Sequence, residues 1–310
     1  MITKDEFLLK YNISEDYLID ADVSWEDLET IYENYENEKK SRYKQILLDF
    51  QGEYLADLSE IKVHSIRSRV KDSEHLIEKI IRRRKENYIK YKDITVDNYE
   101  KFLTDLIGIR CFILFKEDWE YFHNYITNVI ENNPDIYVTY PIDDFDSNDK
   151  HCYHAERPKV HIRNGDRRDI YETILTDDCI KSDKIYRSVH YIIKYKGVYL
   201  EIQVRTLFEE SWGEIDHSLV YPYYVDDPVM SQYTQLLNRI SGLADEMGSF
   251  FKVVERLEAS SKDRSRKKIH KEQTREKKLF NEVESDSKDT DILLQDVVTP
   301  QDCLNAKMSE

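Results

Sequence analysis

The chain has 310 residues, 40% hydrophobic and 35% charged, with a formal net charge of −16. That length supports one core of about 150 to 200 residues plus extensions. The acidity excludes a general nucleic-acid coat protein, because long-range repulsion opposes phosphate approach. Only 7 glycines leave little material for a glycine-rich phosphate loop. Cys111, Cys152, Cys179 and Cys303 form no CxxC pair, so they fit neither a zinc module nor a disulfide framework and read as reduced cytoplasmic thiols. The first 17 residues are acidic where a signal peptide is basic, and no run approaches a membrane-spanning length of about 18 apolar residues. These features predict a cytoplasmic protein off the membrane.

In chain order, residues 1–60 read as an acidic, tyrosine-rich helical extension. Leu28, Ile31, Tyr32 and Tyr35, then Ile46, Leu47, Phe50, Tyr54 and Leu55, recur at helical spacing. Ser24, followed three residues later by Asp27, predicts an N-cap. Residues 61–225 read as the catalytic domain, which opens with a reversal of charge through Arg67, Arg69, Lys71, Lys79, Arg82 and Lys92. The apolar run at 107–115 predicts a central buried strand, residues 135–140 a second strand, and 143–183 a long loop with a short strand near 159–163. Residues 188–206 predict a hairpin turning at Lys196-Gly197, with Val198, Leu200, Ile202 and Val204 on one face and Tyr199, Glu201, Gln203 and Arg205 on the other. A helix follows over 207–219. Residues 226–285 read as a C-terminal helical region, in which Tyr233, Leu236, Ile240, Leu243, Met247, Phe250, Val254 and Leu257 alternate at spacings of three and four. A helix packed on the core is favoured over a coiled-coil seam, which Gly242 and Gly248 weaken. Residues 286–310, with little to bury, predict a disordered tail.

Several residues carry chemistry. Glu201 shares its strand face with Gln203 and Arg205; alone, that triplet is equally a solvated sheet face. Asp105 stands at the entrance to the 107–115 strand, where a carboxylate is a turn residue or a ligand. Together, two carboxylates suit Mg²⁺, which takes one or two of them with substrate phosphates and water. Lys79 and Arg82, three apart on a predicted helix, share a face that can hold a polyphosphate or simply face solvent. Tyr186 to His190 supply a ring, a cation and an imidazole beside the hairpin. His151, His154 and His161 follow no zinc-type pattern and read as surface histidines.

Arg69-Val70-Lys71, Glu78-Lys79, Asp105 to Arg110, Tyr186 to His190, Glu201 to Thr206 and Trp212 to His217 occur in the order of the RelA/SpoT nucleotidyltransferase family, which the chain resembles over residues 65–224. The resemblance implies an α+β fold, a mixed β-sheet wrapped by helices, with helical N- and C-terminal extensions. It implies that Arg69, Lys71, Lys79 and Arg82 hold the phosphates of ATP, and that Asp105 and Glu201 bind Mg²⁺, with Glu201 also the base for the acceptor hydroxyl. Tyr186 would stack on the acceptor base, with Arg110, His190, Gln203 and Arg205 lining the acceptor side. Ile185 replaces the family's usual glycine and Glu210 its usual asparagine, so the acceptor side matches less closely than the donor side. No His-Asp dipeptide occurs, so the hydrolase motif of the family is missing.

The expected activity is pyrophosphate transfer from ATP to the 3′-hydroxyl of GDP or GTP, as in small alarmone synthetases. A rival from the toxin branch of the family modifies the 3′ end of tRNA; the altered guanine-side residues and the basic stretches at 82–92 and 262–278 favour it and the net acidity disfavours it. A third expectation is an inactive nucleotide-sensing scaffold. An antitoxin partner and a homo-oligomer built through the C-terminal helices are further expectations of the resemblance.

Overall fold

A computed structural model describes residues 3–130, 152–220 and 227–295. In chain order the elements are α1 (Lys4–Lys10), α2 (Glu15–Asp20), α3 (Trp25–Asn34), α4 (Lys40–Tyr54), β1 (Ser65–Val70), α5 (Ser73–Glu86), α6 (Tyr88–Tyr91), α7 (Tyr99–Phe102), β2 (Ile107–Ile113) and α8 (Trp119–Val129). There follow β3 (Cys152–His154), β4 (Lys159–Arg163), α9 (Asp169–Glu172), β5 (Ile180–Lys184), β6 (Ser188–Tyr195), β7 (Val198–Thr206), α10 (Leu207–Ile215) and α11 (Pro228–Gln295). The fold is α+β, with seven strands in one mixed sheet flanked by helices.

The sheet runs β1-β2-β7-β6-β4-β5, with β3 paired to the far end of β6. β2 lies antiparallel to β1 and parallel to β7. The β6–β7 hairpin turns at Lys196 and Gly197, whose φ values of 50° and 76° make the two-residue turn that suits strand twist. Along β7 buried and half-buried residues alternate without a break, which fixes its register: a one-residue slip would expose Leu200, Ile202 and Val204. One sheet face is therefore apolar core. The other carries two polar rungs, Arg69–Gly108–Glu201 and Arg67–Arg110–Gln203–His190.

Three expectations need correction. The stretch expected as a loop up to residue 183 contains β3, β5 and α9 besides the expected β4; β3 and β5 are short and owe their form to pairing with β6 and β4. His154 is no surface residue, being buried with its ring against Tyr191. Most informative is α11: its apolar stripe does not pack on the core, since Tyr233, Leu236, Ile240, Leu243, Met247 and Phe250 are 51–67% exposed. The buried side is polar, with Ser241, Asp245 and Ser249 inward and Gly242 and Gly248 allowing close approach to Arg163 and Phe115. That side fits because it meets arginines. The expected strand at 135–140, His151, Cys303 and the end of the tail, 296–310, lie outside the described residues.

The chain divides into two compact units, Met1–Phe250 and Phe251–Glu310. In the second, α11 continues to Gln295, and Lys252 and Glu255 pair within the helix. No helix among the described residues is long and apolar enough to cross a membrane.

The N-terminal helices support the sheet. Ser24 caps α3 as expected, accepting from the Asp27 amide at 3.0 Å. Between α3 and α4 a π turn at Tyr35–Lys39 presents the buried Tyr35, whose hydroxyl donates to the Lys71 carbonyl at 2.8 Å. That bond ties the extension to the end of β1. Tyr35→Phe leaves the carbonyl unpaired in a dry environment, and urea unfolding should register a loss of about 1 to 3 kcal/mol.

Candidate active site

Lys71 leaves β1, its amide donating to the Leu106 carbonyl at 2.8 Å, and so stands beside Asp105 at the mouth of β2. α5 is capped by Asp72 and carries Lys79 to the same place. The two ammonium groups lie 3.1 and 2.6 Å from Asp105 Oδ2. Burial pushes the Asp105 carboxyl up, but the two lysines outweigh it and hold the group at about 2. Burial in turn lowers the proton affinity of Lys79. Asp105 Oδ1 is buried and accepts no hydrogen bond.

Glu201 projects from the polar face of β7, near enough to Asp105 and Lys79 for charge coupling. It accepts from Gln203 Nε2 at 2.8 Å, and His190 Nδ1 stands 3.2 Å from its other oxygen. Burial and Asp105 raise its proton affinity, and the bonds from His190 and Gln203 more than reverse this, so the group falls below the ordinary glutamate value.

The remaining expected residues divide. Arg69 is exposed on the Glu201 rung, while Arg82, one turn beyond Lys79, pairs with Glu78 and Glu86 of its own helix at 3.0 and 3.4 Å. Arg205 donates to Gln203 at 2.5 Å and pairs with Glu210 at 3.2 Å; Arg110 pairs with Glu210 at 2.7 Å and also with Glu214. Arg67 completes this cluster, 2.6 Å from Glu214. The basic stretch at 82–92 is largely spent on pairing: Arg83 on Glu86, Lys85 on Asp20, and Arg84 on the Ala21 and Asp22 carbonyls.

Tyr186 lies at the entry to β6, its ring 5.4 Å from His161 and 6.4 Å from His190. His161 and His190 are 4.6 Å apart. His161, expected among surface histidines, joins Tyr186 and His190; alternation along β4 places it, since Val160 and Ile162 on either side are buried. Glu214 and Arg67 carry no sequence expectation: cross-strand register sets Arg67 beside Arg110, and α10 brings Glu214 to both. Among the described residues no group of three or more His, Cys, Asp or Glu gathers as a metal site.

A sheet face that joins two half-buried carboxylates to lysines and arginines, with an aromatic ring at its rim, defines an α+β domain with the chemistry to hold phosphate. A family profile described as "Region found in RelA / SpoT proteins" matches residues 68–226, just over half of the chain, and the protein belongs to the RelA/SpoT family. No curated protein matches it. Solved structures similar to it include a GTP pyrophosphokinase family protein from Streptococcus pneumoniae, at 21% identity over 75% of this chain and 95% of that one, with a TM-score of 0.41. Another is small alarmone synthetase 1 from Bacillus subtilis, at 21% identity over 75% and 97%, with a TM-score of 0.42. The same protein bound to AMPCPP has 22% identity over 74% and 95%, with a TM-score of 0.38.

Asp105 gives the site a pH signature. A carboxyl held at about 2 when folded and near 3.8 when unfolded adds stability that is complete above the unfolded value and lost as pH falls through the folded one. The contribution is roughly 2 kcal/mol. Urea titrations should therefore show the stability gap between wild type and Asp105→Asn narrowing by that amount from about pH 5 to pH 2. A constant gap would remove the assignment.

Proposed function

We propose that this chain is an ATP-dependent pyrophosphotransferase that moves the β,γ-pyrophosphate of ATP to the ribose 3′-hydroxyl of GDP or GTP, producing (p)ppGpp. The observation that carries this reading is the convergence of Asp105, Glu201, Lys71 and Lys79 at one end of the polar sheet face. Family membership supports it.

In this reaction the 3′-oxygen attacks the β-phosphorus, the bond from that phosphorus to the bridging α,β-oxygen breaks, and AMP departs with the electron pair. Little covalent work falls to the protein, which must align the partners and neutralise charge. Lys71, Lys79, Arg69 and Arg82 bind the ATP phosphates. Glu201, ionised at neutral pH, takes the hydroxyl proton, and His190 and Gln203 hold its carboxylate in place. Tyr186 stacks on the acceptor base, and Arg110 and Arg205 line the acceptor side. The donor set fits Mg²⁺: Asp105 keeps one buried oxygen without a partner, and Glu201 supplies a second hard ligand nearby. Bound there, Mg²⁺ neutralises phosphate charge.

One observation favours the 3′ end of tRNA as an alternative acceptor. Glu210 and Glu214 already occupy Arg67, Arg110 and Arg205, leaving less cationic surface for the polyphosphate that GDP or GTP brings. Against it, the cations between Arg82 and Lys85 are also engaged.

γ-Labelled ATP with Mg²⁺ and, separately, GDP, GTP or deacylated tRNA distinguishes these acceptors. Label should pass to GDP and GTP; transfer to tRNA alone would establish the alternative, and transfer to none would refute both. Glu201→Gln should lower transfer by about 100-fold or more while ATP binding persists. The acid limb of the wild-type rate profile should fall below the ordinary glutamate range, because the bonds that hold Glu201 ionised lower its proton affinity.

A further inference from the structure

The peptide that carries Tyr186 is held from outside the sheet. On one side, the Ile185 carbonyl accepts from Asn238 Nδ2 of α11 at 2.8 Å. On the other, the Arg187 amide donates to Glu209 Oε1 of α10 at 2.9 Å. The Arg187 side chain then turns inward, where it is 6% exposed, and meets Asp245 Oδ2 of α11 at 2.6 Å; the Asp245 side chain is fully buried. Asp166, which follows β4, binds the same guanidinium at 2.9 and 3.1 Å, and Glu246 lies 3.4 Å from it. Nearby, Arg163 pairs with Glu209 and donates to Asn238 at 3.2 Å, linking the two helices once more.

Glu201 pairs elsewhere, with His190 and Gln203, and Lys71 and Lys79 with Asp105. A buried charge pair on a polar helix face costs desolvation that an apolar contact would avoid, so its return lies in fixing one geometry. The geometry it fixes is that of residues 185–187.

We propose that Asp245 is a positioning residue for Tyr186: through Arg187, and with Asn238 beside it, α11 sets the ring that receives the acceptor base. The proposal rests on the reading of Tyr186 as the acceptor-stacking ring. Loss of the Asp245 charge loosens the ring without touching the donor site, so acceptor affinity falls while ATP affinity and the chemical step persist.

The test uses the full chain with Asp245→Asn, Asp245→Glu and Asn238→Ala. The KM for the guanine nucleotide should rise about tenfold in Asp245→Asn, with kcat and the KM for ATP changed less than twofold, and Asp245→Glu should recover most of the loss. Asn238→Ala, on a half-buried residue, should move the same constant in the same direction by less, and it carries the test if Asp245→Asn fails to fold. Tyr186→Ala in the Asp245→Asn background should add little to the acceptor KM, whereas in wild type it should raise it strongly. 3-Fluorotyrosine placed at position 186 gives a readout independent of turnover. Its fluorine resonance should be single in wild type, broadened or split in Asp245→Asn, and restored in Asp245→Glu. An unchanged resonance in both Asp245→Asn and Asn238→Ala would overturn the proposal, as would equal losses in the ATP and acceptor constants. Absence of any transfer by wild type would sink the functional reading instead, and the fluorine spectra would still decide whether Asp245 positions the ring.

Discussion

Asp105 and Glu201 are two carboxylates brought into one partly dry place, and Asp105 pushes the proton affinity of Glu201 upward. Left alone, burial would raise the proton affinity of both, and Asp105 would raise that of Glu201 further. Two different devices keep both ionised. Asp105 has two ammonium groups against one oxygen, whereas Glu201 has hydrogen bonds from His190 and Gln203. A carboxylate paired with lysines can yield them to another anion, while one held by hydrogen bonds keeps its orientation; under the proposed function the first suits phosphate binding and the second a base.

The surrounding layers serve that arrangement. Tyr35, in the π turn between α3 and α4, fixes the backbone of Lys71, and Glu36 and Lys40 meet Ser73 at the start of α5, so the N-terminal extension supports both segments that carry Lys71 and Lys79. α11 reaches the opposite side of the site through Arg187 and Ile185. Under the proposed function the donor and acceptor sides thus rest on separate elements, which permits each to vary without the other.

Much of the site was legible because its signals are local. The alternation in residues 198–206 is a period of two, and it alone places Glu201, Gln203 and Arg205 on one face. The Lys196-Gly197 turn was readable for the same reason. What stayed hidden depends on distant partners. β1 mixes Arg67 and Arg69 with serines and has no clean apolar face, so only its pairing with β2 makes it a strand. α11 misled because its heptad-like apolar stripe is a strong local pattern, while the burial of Ser241, Asp245 and Ser249 depends on side chains far back in the chain, Arg163, Arg187 and Lys116 among them. A polar residue mid-helix carries no mark of which cation awaits it.

The region that defines the family ends at residue 226, yet Asn238, Asp245 and Glu246 lie beyond it. Within the matched region Asp166 meets Arg187 Nε and Nη2, and Nη1 meets Asp245 of α11. Every motif residue from Arg69 to His217 can therefore be present in a segment that still lacks the partner of Arg187 Nη1. That partner comes from a helix whose buried positions are serine and aspartate, with Gly242 and Gly248 half-buried beside them, residue types suited by small size and charge and not by hydrophobic packing. In this chain the catalytic domain and the first part of α11 form one physical unit, consistent with the compact body that extends to Phe250. The motifs locate the candidate site, and under the proposal the helix outside them sets the geometry in which the acceptor is received.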